Sequence, residues 1–141
     1  MAIEFRLLKD AGNTEYRQVR IASQAYAIGD AVMQDRVSDA VDVVPAISST
    51  ITGNIYGVAM STQVSTDTTL LICIVTPAQQ WAADATNTTN TNHNQQRMAL
   101  TDKGTVNNTG TDVTGTTGVF EQIGTLTTTR IVGRFIPKAQ Q

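Results

Sequence analysis

The chain is poor in the residues on which catalytic sites and disulfide frameworks depend. Its 141 residues include one cysteine, one histidine, one tryptophan and three prolines, and aromatic residues make up only 5%. Because a single cysteine cannot form a disulfide within the chain, the sequence excludes the disulfide-stapled class of small secreted domain. Cys73 lies in the apolar run 70–75, a position typical of a small buried hydrophobic side chain.

Long apolar runs are also missing. The longest run, near residue 70, is too short to cross a membrane, and the first residues contain no apolar region of a signal peptide. We therefore expect a soluble protein that is made in the cytoplasm, has no membrane partner and, if it leaves the cell, does so by lysis.

The sequence contains no recognisable motif for catalysis, cofactor binding or metal binding. His93 lies in a polar stretch with no acid, base or nucleophile at a useful spacing. Neither a Gly-x-Ser-x-Gly elbow nor a Gly-rich phosphate loop occurs. Asp35, Asp39 and Asp42 are the densest carboxylates, and we interpret them as a solvated turn rather than a calcium site. The sequence favours a protein that is not an enzyme, with no catalytic residues, no cofactor and no metal.

Charge is scarce and unevenly placed along the chain. Charged residues make up 16%, and the net charge of −2 with a pI near 5.2 argues against a nucleic-acid partner. If the two chain ends are neighbouring strands, their basic residues form a strip. Such a strip is either edge charge that prevents aggregation or a docking surface for an acidic protein partner. The basic residues of the two ends are Arg6, Lys9, Arg17, Arg20, Arg130, Arg134 and Lys138.

Trp81 is the other candidate for contact with a partner. It follows Pro77, and it has three readings: a side chain of the core, an aromatic platform for a sugar, or an anchor in a protein interface, where Trp is over-represented. Together with the polar-loop residue His93, it completes the predicted set. The residues predicted to contact a partner are Arg6, Arg17, Arg20, Trp81, His93, Arg97, Arg130 and Arg134.

Hydrophobic alternation predicts an all-β fold. Residues 2–8 and 15–22 alternate with a period of two. The alternation places Ile3, Phe5 and Leu7 on one face of a half-exposed strand, and Val19 and Ile21 inward. Turn signals recur at roughly the 8–12-residue spacing that is typical of a small β-barrel or β-sandwich. Further strands are predicted at 31–33, 55–60, 69–76, 119–123 and 129–136, with turns at 10–13 and 28–30.

Two segments depart from this pattern. Residues 78–85 contain the only run of good helix formers and predict one or two helical turns. Residues 86–118 are dominated by Thr, Asn, Gly and Gln and have too few apolar side chains for a core of their own. We interpret residues 86–118 as a long Thr/Asn-rich extended arm or loop, with a short strand near Met98, within a single β domain of residues 1–141.

Two short segments resemble the head decoration (capsid cement) proteins of tailed bacteriophages. Many of those small, all-β, cysteine-poor proteins contain a pattern like residues 29–32 (Gly-Asp-Ala-Val), followed by one like residues 57–59 (Gly-Val-Ala). The resemblance covers residues 20–76, and no functional residue is carried over from it. It implies a β-barrel or sandwich on the outer surface of the virion capsid, with the major capsid protein as partner. It also implies self-association, often as a trimer, and stabilisation of the shell by bridging capsid subunits.

Two other functions stay open at this point. A carbohydrate- or receptor-binding β module of a phage fibre or adhesin would need Trp81 exposed beside polar side chains. A tail or head–tail connector subunit would form rings.

Overall fold

The computed structural model describes residues 5–10, 12, 14–35, 40–46, 55–110, 113–115 and 117–136. Two packed sheets and one turn of 3-10 helix make up their regular structure, which confirms the predicted all-β class. The helical turn is Thr91–His93. The strands are β1 (Arg6–Lys9), β2 (Tyr16–Arg20), β3 (Ala31–Gln34), β4 (Val43–Pro45), β5 (Ile55–Ala59), β6 (Thr69–Ile74), β7 (Gln80–Ala85), β8 (Arg97–Met98), β9 (Leu100–Asp102), β10 (Thr105–Val106), β11 (Phe120–Thr125) and β12 (Arg130–Phe135).

The first sheet closes almost completely on itself. Its order is β8-β11-β12-β7-β10-β9, and β1 pairs with the start of β7. Strands β8 and β9 stand at opposite ends of this order, yet only Ala99 separates them in the chain. The sheet therefore bends round into a barrel-like shape. Its core contains Phe5, Trp81, Ala83, Met98, Leu100, Val106, Phe120, Ile131 and Phe135.

Four aromatic rings form the centre of this core. The ring centroid of Phe135 lies 5.0 Å from that of Phe5, 5.1 Å from that of Phe120 and 5.8 Å from that of Trp81. The Phe120 and Trp81 rings meet Phe135 edge-on, a geometry that adds to the free energy gained by burial alone. The indole Nε1–H of Trp81 donates to Oε1 of Gln79 at 3.3 Å, so this polar group is satisfied although it is buried.

The second sheet has the order β2-β6-β5-β3-β4, and Asp42 bridges its two edge strands. The N–H of Asp42 donates to the carbonyl of Arg20 at 2.9 Å, and the N–H of Arg20 donates to the Asp42 carboxylate at 2.8 Å. The two side chains also form an ion pair at 2.8 Å. The edges meet at Arg20 and Asp42, whereas the described residues provide no partner for the outward backbone groups of Tyr16 and Gln18. One sheet face encloses a small core of its own: Val19, Ile21, Tyr26, Val32, Val43, Ala59, Leu70 and Ile72.

The predicted turn 28–30 connects the two sheets. Gly29 has φ +96°, in the left-handed region that favours glycine, and its N–H donates to the carbonyl of Ala59 at 2.9 Å. The carboxylate of Asp30 is buried and forms an ion pair at 3.2 Å with Nζ of Lys103, from the turn between β9 and β10. The turn therefore fixes β3 against both β5 and the first sheet.

We expect Asp42→Asn to lower the free energy of unfolding at pH 7 by at most about 1 kcal/mol, because exposed ion pairs contribute little. The side-chain hydrogen bond from Arg20 lowers the pKa of Asp42 below its ordinary value of 3.8. The ionised Asp42 carboxylate therefore stabilises the fold at any pH above the pKa that this group has in the unfolded chain. This stabilisation is lost as the pH falls through the lower pKa that Asp42 has in the folded protein. Urea unfolding at neutral and acid pH should show the difference between wild type and variant shrinking below about pH 4. A difference that is independent of pH would contradict this role of the carboxylate.

The helix predicted over 78–85 is wrong. Residues 80–85 form β7, which pairs with β12 along one edge and with β1 and β10 along the other. Intrinsic helix propensity is a weak preference that tertiary pairing overrides. The small side chains of Ala82 and Ala83 are both buried, which suits a central strand that is covered on both faces.

The segment 86–118 is long and polar, as predicted, but its middle part, residues 97–106, is not a separate arm. Its middle supplies β8, β9 and β10, and the short strand expected near Met98 is present. Met98, Leu100 and Val106 are fully buried in the core of the first sheet. An extended arm is thus the wrong description of residues 97–106, because a few apolar side chains at strand spacing are enough to anchor them.

Candidate interaction surfaces

Side chains suited to metal binding do not cluster in the described ranges. Within them, no group of three His, Cys, Asp or Glu side chains is placed to hold a metal ion. Burial raises the pKa of the Cys73 thiol, which keeps this group protonated and unreactive. As for membranes, the described part of the chain contains no helix that is long and apolar enough to cross one.

Trp81 does not lie at a surface, which corrects its assignment as a contact residue. Its side chain is 0% exposed and packs edge-on against Phe135. The pairing of Trp81 with Leu7 on one side and Gly133 on the other fixes its indole toward the core. Of the three readings from the sequence, the core is the correct one.

His93 is half-buried at the end of the 3-10 turn. The backbone N–H of His93 donates to the carbonyl of Asn90 at 3.1 Å. The imidazole Nδ1 is buried and has no partner within the ranges described. The turn packs against β11, where the Gln122 carbonyl accepts from Gln95 N–H at 2.7 Å. The imidazole is therefore only partly available to a partner.

The two chain ends do not form one basic strip. Strands β1 and β12 flank β7 in the first sheet, whereas β2 is an edge of the second. On β2, Arg20 is held by Asp42, and Arg17 pairs with Glu15 and also contacts the hydroxyl of Tyr56. The hydrogen bond with Glu15 is the main cause of the raised pKa of Arg17. Both cations on β2 are thus compensated locally.

The other predicted cations share the outer face of the first sheet. On β7, the residues Gln80, Ala82 and Asp84 alternate with inward side chains, and their neighbours directly opposite point the same way. Arg6 lies opposite Ala82, Lys9 opposite Gln80, and Arg130 opposite Asp84. Lys138 lies outside the described residues. We name as the basic face the surface formed by Arg6, Lys9, Arg97, Arg130 and Arg134 with Asp84 and Glu121.

Ion pairs run between the strands of the basic face. Arg134 Nε lies 2.8 Å from Oε1 of Glu121, which itself lies opposite Arg97. Arg130 pairs with Asp84. Asp102, which lies opposite Thr105 and is exposed, is on the same side of the sheet. Among the described residues this side therefore carries five cations against three carboxylates, so it is positive although the chain carries a net charge of −2.

Sequence reasoning found the cations of the basic face but missed the two carboxylates. Glu121 and Arg134 each follow the outward alternation of their strands, and this signal was available in the sequence. Asp84 was hidden by the erroneous helix. The order of the strands, which sets these residues beside one another, could not be read from the alternation.

Four cavities are found among the described residues, the largest of about 550 Å³ and the smallest of about 90 Å³. An open groove of about 550 Å³ runs beside Tyr26, Val64 and Lys103. Burial raises the pKa of Tyr26 to about 12, so its hydroxyl stays protonated at physiological pH. A cleft between the sheets measures about 90 Å³ and includes Ile55 and Ile136 in its lining. The cleft is smaller than the 300–1,000 Å³ typical of small-molecule sites.

Comparison of the chain with protein-family models, with curated proteins and with solved structures finds no match. Its function has to be inferred from its own residues and geometry.

Proposed function

We propose that this protein is a capsid decoration protein of a tailed bacteriophage. It is made in the host cytoplasm, binds the outer surface of the assembled head as a homo-oligomer, by resemblance a trimer, and becomes part of the virion. It stabilises the shell by bridging neighbouring copies of the major capsid protein. It acts without a cofactor and without catalysis.

The segments behind the resemblance support this proposal because they form one structural unit. Ala31 and Val32, from residues 29–32, lie opposite Val58 and Gly57, from residues 57–59. The Cβ of any larger residue at Gly57 would lie 2.7 Å from the carbonyl oxygen of Cys73. The two segments that carry the resemblance thus lie side by side on neighbouring strands of this fold.

The basic face is the observation on which the proposal rests most. It concentrates positive charge on the outside of one sheet, and Arg6 and Lys9 on it are exposed. A charged surface of this kind accelerates and orients docking to a surface of the opposite sign. The partner it suits is an acidic patch that spans two subunits of a shell.

The alternative sugar-binding function loses its main support in this structure. It depended on an exposed tryptophan, and Trp81 is buried in the core. Tyr16 is 53% exposed, but a single exposed ring on a strand edge does not form the aromatic platform that this function would need.

Co-sedimentation with phage heads that lack the protein tests the proposal. We expect saturable binding by wild type. The variant Arg6→Gln/Lys9→Gln should bind roughly tenfold more weakly at low salt, because it loses two charges of the basic face. Its affinity should also depend less on salt than that of the wild type.

The matched control is Ser65→Glu/Thr66→Glu, which changes the net charge by the same amount at an exposed turn between β5 and β6. We expect this control to bind like wild type. Equal losses in both variants would show that only net charge matters, and would rule out docking through the basic face. Absence of binding by the wild type would rule out the capsid role itself.

A further inference from the structure

Strand β2 is the most regular sheet edge in the part of the chain that the structure describes. It pairs with β6 over five consecutive residues without a register shift. The other edge of that sheet, β4, is three residues long and ends at Pro45, while β1 contains a bulge after Leu7. Proline, bulges and charged side chains all hinder an edge from pairing with another chain. Strand β2 has no proline and no bulge, and its two cations are paired, Arg17 with Glu15 and Arg20 with Asp42.

The backbone of β2 offers hydrogen bonds on its open side. Glu15 and Ile21 bond to the β6 side, since Glu15 C=O accepts from Ile74 at 2.9 Å and Ile21 N–H donates to Thr68 at 2.9 Å. Antiparallel pairing alternates, so the N–H and C=O groups of residues 16, 18 and 20 point to the other side. Those of Arg20 are taken by Asp42. Those of residues 16 and 18 have no partner within the described ranges.

The side chains on this edge are complementary to themselves. Glu15 and Arg17 are both about half exposed, and they flank Tyr16, whose side chain is 53% exposed. Suppose that the strand pairs antiparallel with a copy of itself about Tyr16. Glu15 of each copy then lies opposite Arg17 of the other copy, so opposite charges meet.

Of the registers centred on residues 15 to 18, one satisfies both the backbone hydrogen bonds and the charges. The backbone N–H and C=O groups that point to the open side belong to the even-numbered residues of β2. Hydrogen bonding between two copies requires such a residue of one copy to lie opposite such a residue of the other. Centring the pair on Arg17 would place two arginines opposite each other, and centring it on Glu15 would oppose two carboxylates. Centring it on Gln18 would use the groups of Arg20 that Asp42 already occupies. Centring it on Tyr16 places each Glu15 opposite Arg17 of the second copy.

From this match of backbone groups and charges we propose that β2 pairs with β2 of a second copy of the chain across a two-fold axis at Tyr16. The contact is isologous, joins the two second sheets into one continuous sheet, and adds ion pairs between Glu15 and Arg17 of different copies. It does not rest on the proposed capsid role.

Sedimentation velocity over a range of concentrations tests this contact in the free protein. We expect wild type to show a concentration-dependent dimer. Glu15→Arg alone or Arg17→Glu alone should weaken dimerisation about tenfold or more, because each variant opposes like charges in both halves of the contact. The double variant E15R/R17E restores opposite charges and should dimerise like wild type.

A mixture of the two single variants gives the sharpest result. Each copy of Glu15→Arg carries two bases and each copy of Arg17→Glu carries two acids, so we expect only the mixed dimer to form. Native mass spectrometry distinguishes it from both homodimers. Gln18→Pro is a second test of the contact, because it removes a backbone N–H that points away from β6. We expect this variant to lose the dimer and to keep the circular dichroism spectrum of the wild type.

A wild type that remains monomeric at all concentrations would overturn the proposal. So would single variants that dimerise like wild type, or a mixture that forms no mixed dimer although both variants are folded. Head binding can be retained in any of these cases, which separates this inference from the capsid role.

Discussion

Replacing Gly133 with alanine is expected to lower the free energy of unfolding by about 3 kcal/mol or more. A Cβ at this position would collide with the carbonyl oxygen of Glu121 and would lie 2.7 Å from Cζ of the Phe120 ring. Overpacking of a core typically costs about 1–3 kcal/mol, and the cost rises here because one of the colliding atoms belongs to the backbone. Urea unfolding followed by the fluorescence of Trp81 measures the effect, since this side chain is buried only in the folded state.

Gly124 of the same hairpin provides the matched control. A Cβ there meets no atom within 4 Å, so Gly124→Ala should change the stability by less than about 0.5 kcal/mol. Equal stability of both variants would mean that β11 and β12 do not approach as closely as the structure has them.

Phe135→Ala is the second large effect, with an expected loss of about 3–5 kcal/mol. The Phe135 side chain is 2% exposed, and its ring contacts the three other aromatic rings of the core. Its removal therefore leaves a cavity at the centre of the first sheet. Phe135→Leu retains most of the volume and should cost less than half as much.

Denaturant unfolding monitored by circular dichroism distinguishes these cases. Val64→Ala serves as the exposed control, because Val64 is 59% exposed and its truncation should cost less than about 0.5 kcal/mol. A loss below about 1 kcal/mol for Phe135→Ala would show that the aromatic cluster is not the main core.

The strands that bury a single face could be predicted from the sequence. In β2, Val19 is buried between the exposed residues Gln18 and Arg20, and this contrast gives a clear period of two. The sequence failed at β7, where Ala82 and Ala83 are both buried and no alternation is visible. A strand covered on both faces and built of small residues resembles a helix when judged by propensity alone.

The candidate surface was predictable as a list of residues but not as an arrangement. Arg6 and Arg130 are far apart in the chain, and they share a face only because β1 and β12 both pair with β7. Local patterns do not specify such distant pairings. The same limitation explains Trp81, whose strand partners place it in the core, and Arg20, which is held by Asp42 at the closure of the second sheet.

The capsid role is tested most directly by the temperature at which phage heads rupture. Heads that lack the protein are measured with increasing amounts of it added back, and DNA release is followed during heating. The proposed function predicts a saturable rise in the rupture temperature, and a smaller rise with Arg6→Gln/Lys9→Gln at the same concentration. A rupture temperature that stays constant while the protein is bound would contradict a stabilising role.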